Sequence, residues 1–358
     1  MEFKVKRDDL KYATKVIETI FGNSDVSALF EINAKKNVLT INCGEKNAWI
    51  SQKIPVTGSK NETFAIEYST ISAINFPKDT INFSLEGRSL SFACGSFKGT
   101  LSKLIDKNKV TKHKPLKAIT AKYQIDPKLL CEGISYLNYS PILAGKDSKN
   151  LSIRITNSGE FIMSTNDSYR GGVFKSTTSA KKFKVNVNFE SMRRISNIIS
   201  GAEIMKFGTD GKQMRVVTES IDCQYPALQV TKPSTSEEFI SKLKNAKVSF
   251  IADASKLHKA CETLFSLVKS SKLDEIKIIC STKKNKLEMK AVTGTANATY
   301  TVPIHKKQGK DCSFNISNKI ASDLFSLVKV SSKIEVYKDV AVIRSTKQDI
   351  SYVFPLVQ

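Results

Sequence analysis

Along this chain the apolar positions switch repeatedly from a period of two to a period of three to four, the change that marks a strand running into a helix. An aromatic residue is followed two positions on by a small or branched apolar one and seven positions on by leucine. This frame occurs at Phe3, Val5, Leu10, at Tyr123, Ile125, Leu130 and at Phe250, Ala252, Leu257. It continues with a small residue (Ala13, Gly133, Ala260) and then a branched apolar one (Ile17, Leu137, Leu264). Weaker copies start sixty-odd residues later at Phe64, Val185 and Phe314, passing through Ile66 and Ile71, Val187 and Met192, Ile316 and Ala321. Near-constant spacing points to duplication, so the chain reads as six versions of one half-domain.

Local chemistry fits the strand-to-helix reading. Asp8, Asp126 and Asp253 stand where an N-cap carboxylate accepts free first-turn amides, and Pro127 suits a first helical position. On the first helix Leu10, Ala13, Val16, Ile17, Ile20 and Phe21 form one stripe, with Lys11 and Lys15 opposite. Alternating runs follow, such as Ile81, Phe83, Leu85 and Leu90, Phe92, Cys94 around Gly87-Arg88. Similar pairs flank Asp210-Gly211 and Lys338-Asp339, so antiparallel hairpins are expected after each helix. Each half-domain is then a strand, a helix and a short meander, and the fold class is α+β.

The 358 residues divide by the repeat into three domains of ordinary size, 1–117, 118–245 and 246–358. The joints fall in lysine-rich stretches, Lys107 to Lys117 and Thr231 to Lys247, each holding a proline. Seven cysteines, an odd number without close pairs, mostly occupy apolar positions, which favours buried thiols in a reduced compartment over disulfides or a metal. No apolar signal region or membrane-length run is seen, so a cytoplasmic protein is expected. Charge sharpens the picture: 56 basic against 34 acidic side chains give a formal net charge of +22, which favours a polyanionic partner. A lysine-rich surface that only aids solubility is the bland alternative.

Three tandem domains of two strand-helix-strand halves resemble the bacterial beta sliding clamp, the processivity ring of replicative DNA polymerase. Ser164-Thr165-Asn166-Asp167-Ser168-Tyr169-Arg170 is similar to that family's Ala-Thr-Asp-Gly-His-Arg segment. Ser351-Tyr352-Val353-Phe354-Pro355-Leu356 resembles its C-terminal Tyr-Val-Val-Met-Pro-Met, and Gln224-Tyr225-Pro226-Ala227-Leu228 its Phe-Pro-Asp-Tyr turn. Departures are Gly171 for an expected leucine, Tyr169 for histidine, Ser168 for glycine, and a basic rather than acidic chain. They fit a divergent member, such as one encoded by a bacteriophage.

The resemblance implies three DNA-clamp domains with antiparallel sheets outside and helices lining a ring, closed by a head-to-tail homodimer around double-stranded DNA of any sequence. It places Lys11, Lys15, Lys128, Arg193, Arg194, Asn197, Lys259 and Lys319 toward DNA, where phosphate contacts hold without reading sequence. The second helix offers only Ser69, Ser72 and Asn75. A groove for a polymerase or clamp-loader peptide is expected around Arg170, Pro226, Tyr352, Phe354, Pro355 and Leu356. For the tail, packing as an edge strand in its own core remains open. Phe97, Leu267 and Val268 are expected at the dimer seam. No cofactor is implied.

Two other classes compete. An enzyme would need a catalytic constellation, yet His113, His258 and His305 are scattered, and no phosphate-cradling loop, His-Glu-x-x-His or Gly-x-Ser-x-Gly is present. A basic non-ring nucleic-acid-binding or scaffold protein is the second, weakened by a single tryptophan, Trp49, and by aromatics that follow core spacing.

Overall fold

A computed structural model describes the chain except residues 23–25, 46–47, 102–117, 139–149, 167–170, 200, 228–235, 269–276, 293–296, 329, 348 and 358. The first repeat runs β1 (Glu2–Lys6), α1 (Arg7–Phe21), β2 (Ser27–Asn33), β3 (Val38–Glu45), β4 (Ala48–Pro55) and a two-residue β5 (Thr57–Gly58). It restarts as β6 (Glu62–Glu67), α2 (Tyr68–Ser72), β7 (Thr80–Glu86), β8 (Ser89–Cys94) and β9 (Phe97–Leu101). The second comprises β10 (Tyr123–Ile125), α3 (Pro127–Leu137), β11 (Asn150–Ile155), β12 (Glu160–Asn166) and β13 (Gly171–Thr177), then β14 (Phe183–Asn188), α4 (Phe189–Ile198), β15 (Met205–Thr209), β16 (Gln213–Val217) and β17 (Ile221–Pro226). A short helix, α5 (Ser236–Lys242), precedes the third. That repeat has β18 (Val248–Asp253), α6 (Ala254–Val268), β19 (Lys277–Lys283), β20 (Lys286–Val292), β21 (Asn297–Gly309), β22 (Ser313–Ser317), α7 (Asn318–Leu327), β23 (Ser331–Val336), β24 (Val340–Ser345) and β25 (Ile350–Pro355).

The six frames are therefore real as elements, but the halves are not self-contained. Each opening strand leaves its own meander and pairs with that of the other half. β1 lies against β7, with Phe3 opposite Phe83, while β6 lies against β2, with Phe64 opposite Phe30. The same exchange gives β10-β15-β16-β17 and β14-β11-β12-β13, then β18-β23-β24-β25 and β22-β19-β20-β21. The aromatic heads of the first two frames meet in the core: Phe3 stacks on Phe83 at 5.0 Å, Phe30 on Phe64 at 5.0 Å, and Phe3 lies 5.9 Å from Phe64. Sequence periodicity locates a strand but not its partner, which is why it does not disclose the exchange.

The small residue of the frame sets how closely each helix sits on its sheet. Ala13 and Ala260 are fully buried, and a Cβ added at Gly133 would run into the Met163 sulfur and the Phe174 ring. On α1 the residues Leu10, Ala13, Val16 and Ile17 are buried, while Ile20 and Phe21 are half-buried and Lys11 and Lys15 exposed. Two of the three expected caps form. The Asp126 carboxylate accepts from the Lys128 N–H at 2.8 Å, and Asp253 from the Ser255 N–H at 2.9 Å. Asp8 does not cap: α1 starts at Arg7, and Asp8 pairs with the Arg7 guanidinium at 3.0 Å. The expected hairpin turns are present, with Gly87 and Gly211 at φ 57° and 88° and Tyr337 donating to Val340 across Lys338-Asp339.

The chain forms two compact units, Met1–Cys131 with Glu190–Gln229, and Glu132–Phe189 with Val230–Gln358. The first holds a 5-stranded and an 8-stranded sheet, the second a 12-stranded one, and every pairing among the described residues is antiparallel. The middle repeat is shared out. Its second-half meander continues the first repeat's sheet through β17 against β4, and its first-half meander continues the third's through β13 against β25. All seven cysteines are free; Cys43, Cys94, Cys223, Cys261 and Cys280 are buried, and burial pushes the Cys43 thiol up to about 12. Among the described residues no helix is long and apolar enough to cross a membrane.

Candidate nucleic-acid interface and partner groove

Every helix-borne candidate whose side chain is described stands exposed: Lys11 and Lys15 on α1, Lys128 on α3, Arg193, Arg194 and Asn197 on α4, and Lys259 on α6. The side chain of Lys319, on α7, lies outside the described residues. The helices are tied in neighbouring pairs. The Tyr12 hydroxyl on α1 donates to the Ile198 carbonyl of α4, and the Cys131 thiol on α3 to Ser196 at 3.6 Å. In the third repeat His258 on α6 lies 3.1 Å from the Ser322 carbonyl on α7. Polar partners on the buried sides of the helices leave the long cationic side chains on the free sides. Arg193 is partly neutralised by Glu190 at 2.7 Å, and Glu18, Glu132 and Glu262 are exposed on the same helices. Four of these seven described side chains are lysines, whose charge is non-directional, and the guanidinium groups among them are confined to α4.

The tail strand β25 alternates faces. Tyr352 and Phe354 point inward: both are buried, and the Tyr352 hydroxyl donates to the Tyr136 carbonyl at 2.7 Å while burial raises its pKa. Their placement is core packing, so these two side chains do not themselves present a groove wall. Val353 faces the other way into an apolar cluster with Ile162, Val173, Ile240 and Val342, against which Leu243, Tyr337 and Val340 pack. Beyond it Pro355 and Leu356 are half-buried, and Leu356 N–H donates to the Asp339 carbonyl at 2.9 Å. Arg170 lies outside the described residues. Pro226 ends β17 in the first unit, with its ring exposed.

One element of this region falls in a stretch whose composition predicts a polar joint. Residues 236–242 instead form α5, which lays Ile240 on the cluster and is fixed at its start by the Ser236 hydroxyl donating to the Thr165 carbonyl at 2.8 Å. Glu237 takes the Arg154 guanidinium at 2.7 and 2.8 Å, and Lys175 stands 3.8 Å from the same carboxylate. Ser236 followed by Glu237 and Glu238, Ile240 and Leu243 at helical spacing, and Lys242 near the end were the available signal. α5 also explains Gly171. A Cβ there would overlap the Ser236 hydroxyl, so a leucine at this position is sterically incompatible with the docked helix. On the flank, burial drives the Glu335 carboxyl up, but Lys333 at 2.8 Å and Arg344 at 2.9 Å override it and hold its pKa below the usual value.

At the expected seam Phe97 is 42 % exposed on β9, its ring 5.4 Å from Phe92. The side chains of Leu267 and Val268, at the end of α6, lie outside the described residues, but Phe265, shortly before them on the same helix, is exposed, an apolar neighbour that the repeat frame does not single out. Strand pairing adds a sharper feature. Among the described residues β9 ends its sheet, and in β21 only Ile304–Gly309 reaches β18, while Asn297–Pro303 pairs with β20 alone.

The arrangement of paired meanders, exchanged strands and sheet-packed helices has counterparts among solved structures. The beta subunit of a Streptococcus pyogenes DNA polymerase superposes over 100 % of both chains with a TM-score of 0.82 at 15 % identity. The fold is that of the bacterial sliding clamps. A Bacillus subtilis DNA polymerase sliding clamp matches 100 % of this chain and 99 % of its own at TM-score 0.78 and 14 % identity. A Pseudomonas aeruginosa sliding clamp bound to griselimycin matches the same shares at 0.81 and 12 %. No family model and no curated protein matches the sequence. The chain thus shares the clamp fold at 12–15 % identity.

Proposed function

We propose that the chain is a DNA sliding clamp: two copies close head to tail around duplex DNA and tether a polymerase. The observation that carries this reading is the unequal covering of equivalent strands. β4 is covered by β17 and β13 by β25, whereas the Asn297–Pro303 part of β21 and the outer side of β9 are open among the described residues. An open edge is a template for another strand. Setting β9 of a second copy against β21 repeats the two internal junctions, and doing so at both ends closes a ring, because a head-to-tail contact that turns far enough becomes cyclic. Three repeats per chain, 1–117, 118–245 and 246–358, then give a ring of six.

Within that ring the exposed Lys11, Lys15, Lys128, Arg193, Arg194, Asn197 and Lys259, together with Lys319, face the phosphates. The peptide of a polymerase or loader takes the apolar face formed by Val353, Pro355 and Leu356 beside α5. This is a non-catalytic tether in the cytoplasm of a bacterium or a phage-infected host, working without cofactor.

Retention on DNA tests the topology. Contacts to roughly 6–10 phosphates lose ~10³–10⁵ in affinity between 50 and 200 mM salt, so protein loaded on nicked circles should persist at 200 mM while protein on linear DNA leaves within the dead time. Equal loss from both forms would support the open, non-ring alternative. Phe97→Asp should yield monomers by light scattering with unchanged circular dichroism; a persistent dimer would remove β9 from the seam.

A further inference from the structure

The third repeat concentrates positive charge at one corner. The β19–β20 hairpin turns through Lys283, Lys284 and Asn285 to Lys286, and the Ile304 N–H donates to the Asn285 carbonyl at 2.9 Å, which holds this turn against the bend in β21. Lys286 pairs with Pro303, and at the other end of the bend Gly309 pairs with Val248, next to Lys247. Lys247, Lys284, Lys286, Lys306 and Lys310 line this corner, and all five are exposed. From Pro303 to Lys310 the strand spans roughly 20 Å at about 3.3 Å per residue. The carboxylates nearby are already taken, Glu288 by Lys283 at 3.2 Å and Asp311 by Lys307.

Two of these lysines sit on unfavourable backbone. Lys284 has φ 50° and Lys306 φ 47°, in the left-handed region that asparagine and glycine tolerate and long side chains avoid. The corresponding hairpins of the other repeats have four-residue turns, 34–37 and 156–159, and their left-handed residue is the last of the turn. In the first, Val56 N–H donates to Asn37 (φ 51°) at 3.0 Å; in the second, Thr178 N–H donates to Gly159 (φ 77°) at 2.8 Å. In the third repeat the turn has two residues, the hydrogen-bonded place falls to Asn285, and Lys284 takes the left-handed place before it; among the described residues neither Lys284 nor Lys306 has an ion pair. Lys306 falls at the register shift of β18 against β21, so a bulge and a tight turn account for the two backbones, and what they leave is two exposed ammonium groups with no internal partner among the described residues.

We infer that this corner of the third repeat binds the phosphate backbone of duplex DNA, as a contact additional to the helix faces. The inference takes its ligand from the reading proposed above, but does not need the ring. Lysine ammonium groups are compact point charges without the guanidinium fork that reads guanine edges. Between Pro303 and Lys310 the only ring able to stack is the imidazole of His305, too little for the platform that single strands require. The apolar side chain there, Ile304, is buried, so nothing would insert into a lipid layer.

The test uses the full chain without loader and a 20-base-pair linear duplex of random sequence, read by fluorescence anisotropy from 50 to 200 mM salt. The variant Lys284→Asn, Lys286→Gln, Lys306→Asn, Lys310→Gln should bind at least tenfold more weakly at 50 mM. Its slope of log affinity against log salt should fall by about 3 to 4, at roughly 0.9 for each phosphate left without its lysine. Lysine-to-arginine replacement at the same four positions should keep the slope. Unchanged affinity and slope in the neutral variant would overturn the inference, as would tighter binding of a 20-nucleotide single strand or corner-dependent binding to phosphatidylserine vesicles. Retention on loaded circles is a separate readout: its failure in the unmodified protein sinks the ring reading, and its persistence in the variant leaves that reading intact.

Discussion

Two junctions join successive repeats with the same strand pairing and opposite chemistry. Where β4 meets β17, Gln224 pairs with Trp49, and the Arg215 guanidinium stands 5.6 Å from the indole while forking onto Asp222 at 2.9 and 2.8 Å. Arg215 also donates to the Ile119 carbonyl at 3.0 Å, and the Ile119 N–H returns a 3.0 Å bond to Gln224. This face borders a cavity of about 650 Å³ with Glu31, Asn42, Lys53 and Glu219 among its lining. Where β13 meets β25, Gly171 admits Ser236 of α5, and the outer face is closed by Val173, Val353 and Ile240 of α5. One backbone plan thus carries a polar, hydrogen-bonded seal in one place and an apolar cluster with half-exposed Pro355 and Leu356 in the other. Of the two, the second is the face to which the proposed partner peptide is assigned.

Three substitutions test this contrast, in descending size. Trp49→Ala removes the indole that Arg215 covers, and should cost about 3–4 kcal/mol, read as a fall in the urea midpoint of the full chain; a cost below about 1 kcal/mol would mean the charged fork seals that junction unaided. Gly171→Leu restores the side chain the clamp resemblance leads one to expect, yet overpacks against Ser236 and should cost about 2–3 kcal/mol. Adding Ser236→Gly should recover part of that loss, and strict additivity would show that the two do not touch. Glu335→Gln unpairs Lys333 and Arg344, the latter bonded at 3.2 Å to Ser351 of β25, and should cost about 1–2 kcal/mol near neutral pH. Because the folded carboxyl is held below its unfolded pKa, its contribution is present above the unfolded value and fades as pH falls through the folded one. The stabilities of the parent and this variant should converge in acid; a constant gap would assign the effect to packing.

What the sequence revealed and what it hid divide along contact range. The frame from Phe3 to Ile17 and its copies is local, so spacing alone located strands, helices, the Asp126 and Asp253 caps and the Gly87 and Gly211 turns. The strand exchange depends on pairings between residues such as Phe3 and Phe83, which no window along the chain contains. For the tail, alternation was visible in Tyr352-Val353-Phe354, but which parity faced the core was not, and the inward residues proved to be the aromatic pair. α5 was hidden by its charged composition, and Asp8 was displaced as a cap because the helix begins at Arg7, two residues before the start that such a cap requires. Gly171 looked like an unexplained departure until the Ser236 contact supplied its cause.

Because each half lends its first strand to the other's sheet, neither can be lifted away without unzipping both. A half excised alone would keep its meander but lose the strand that borders it.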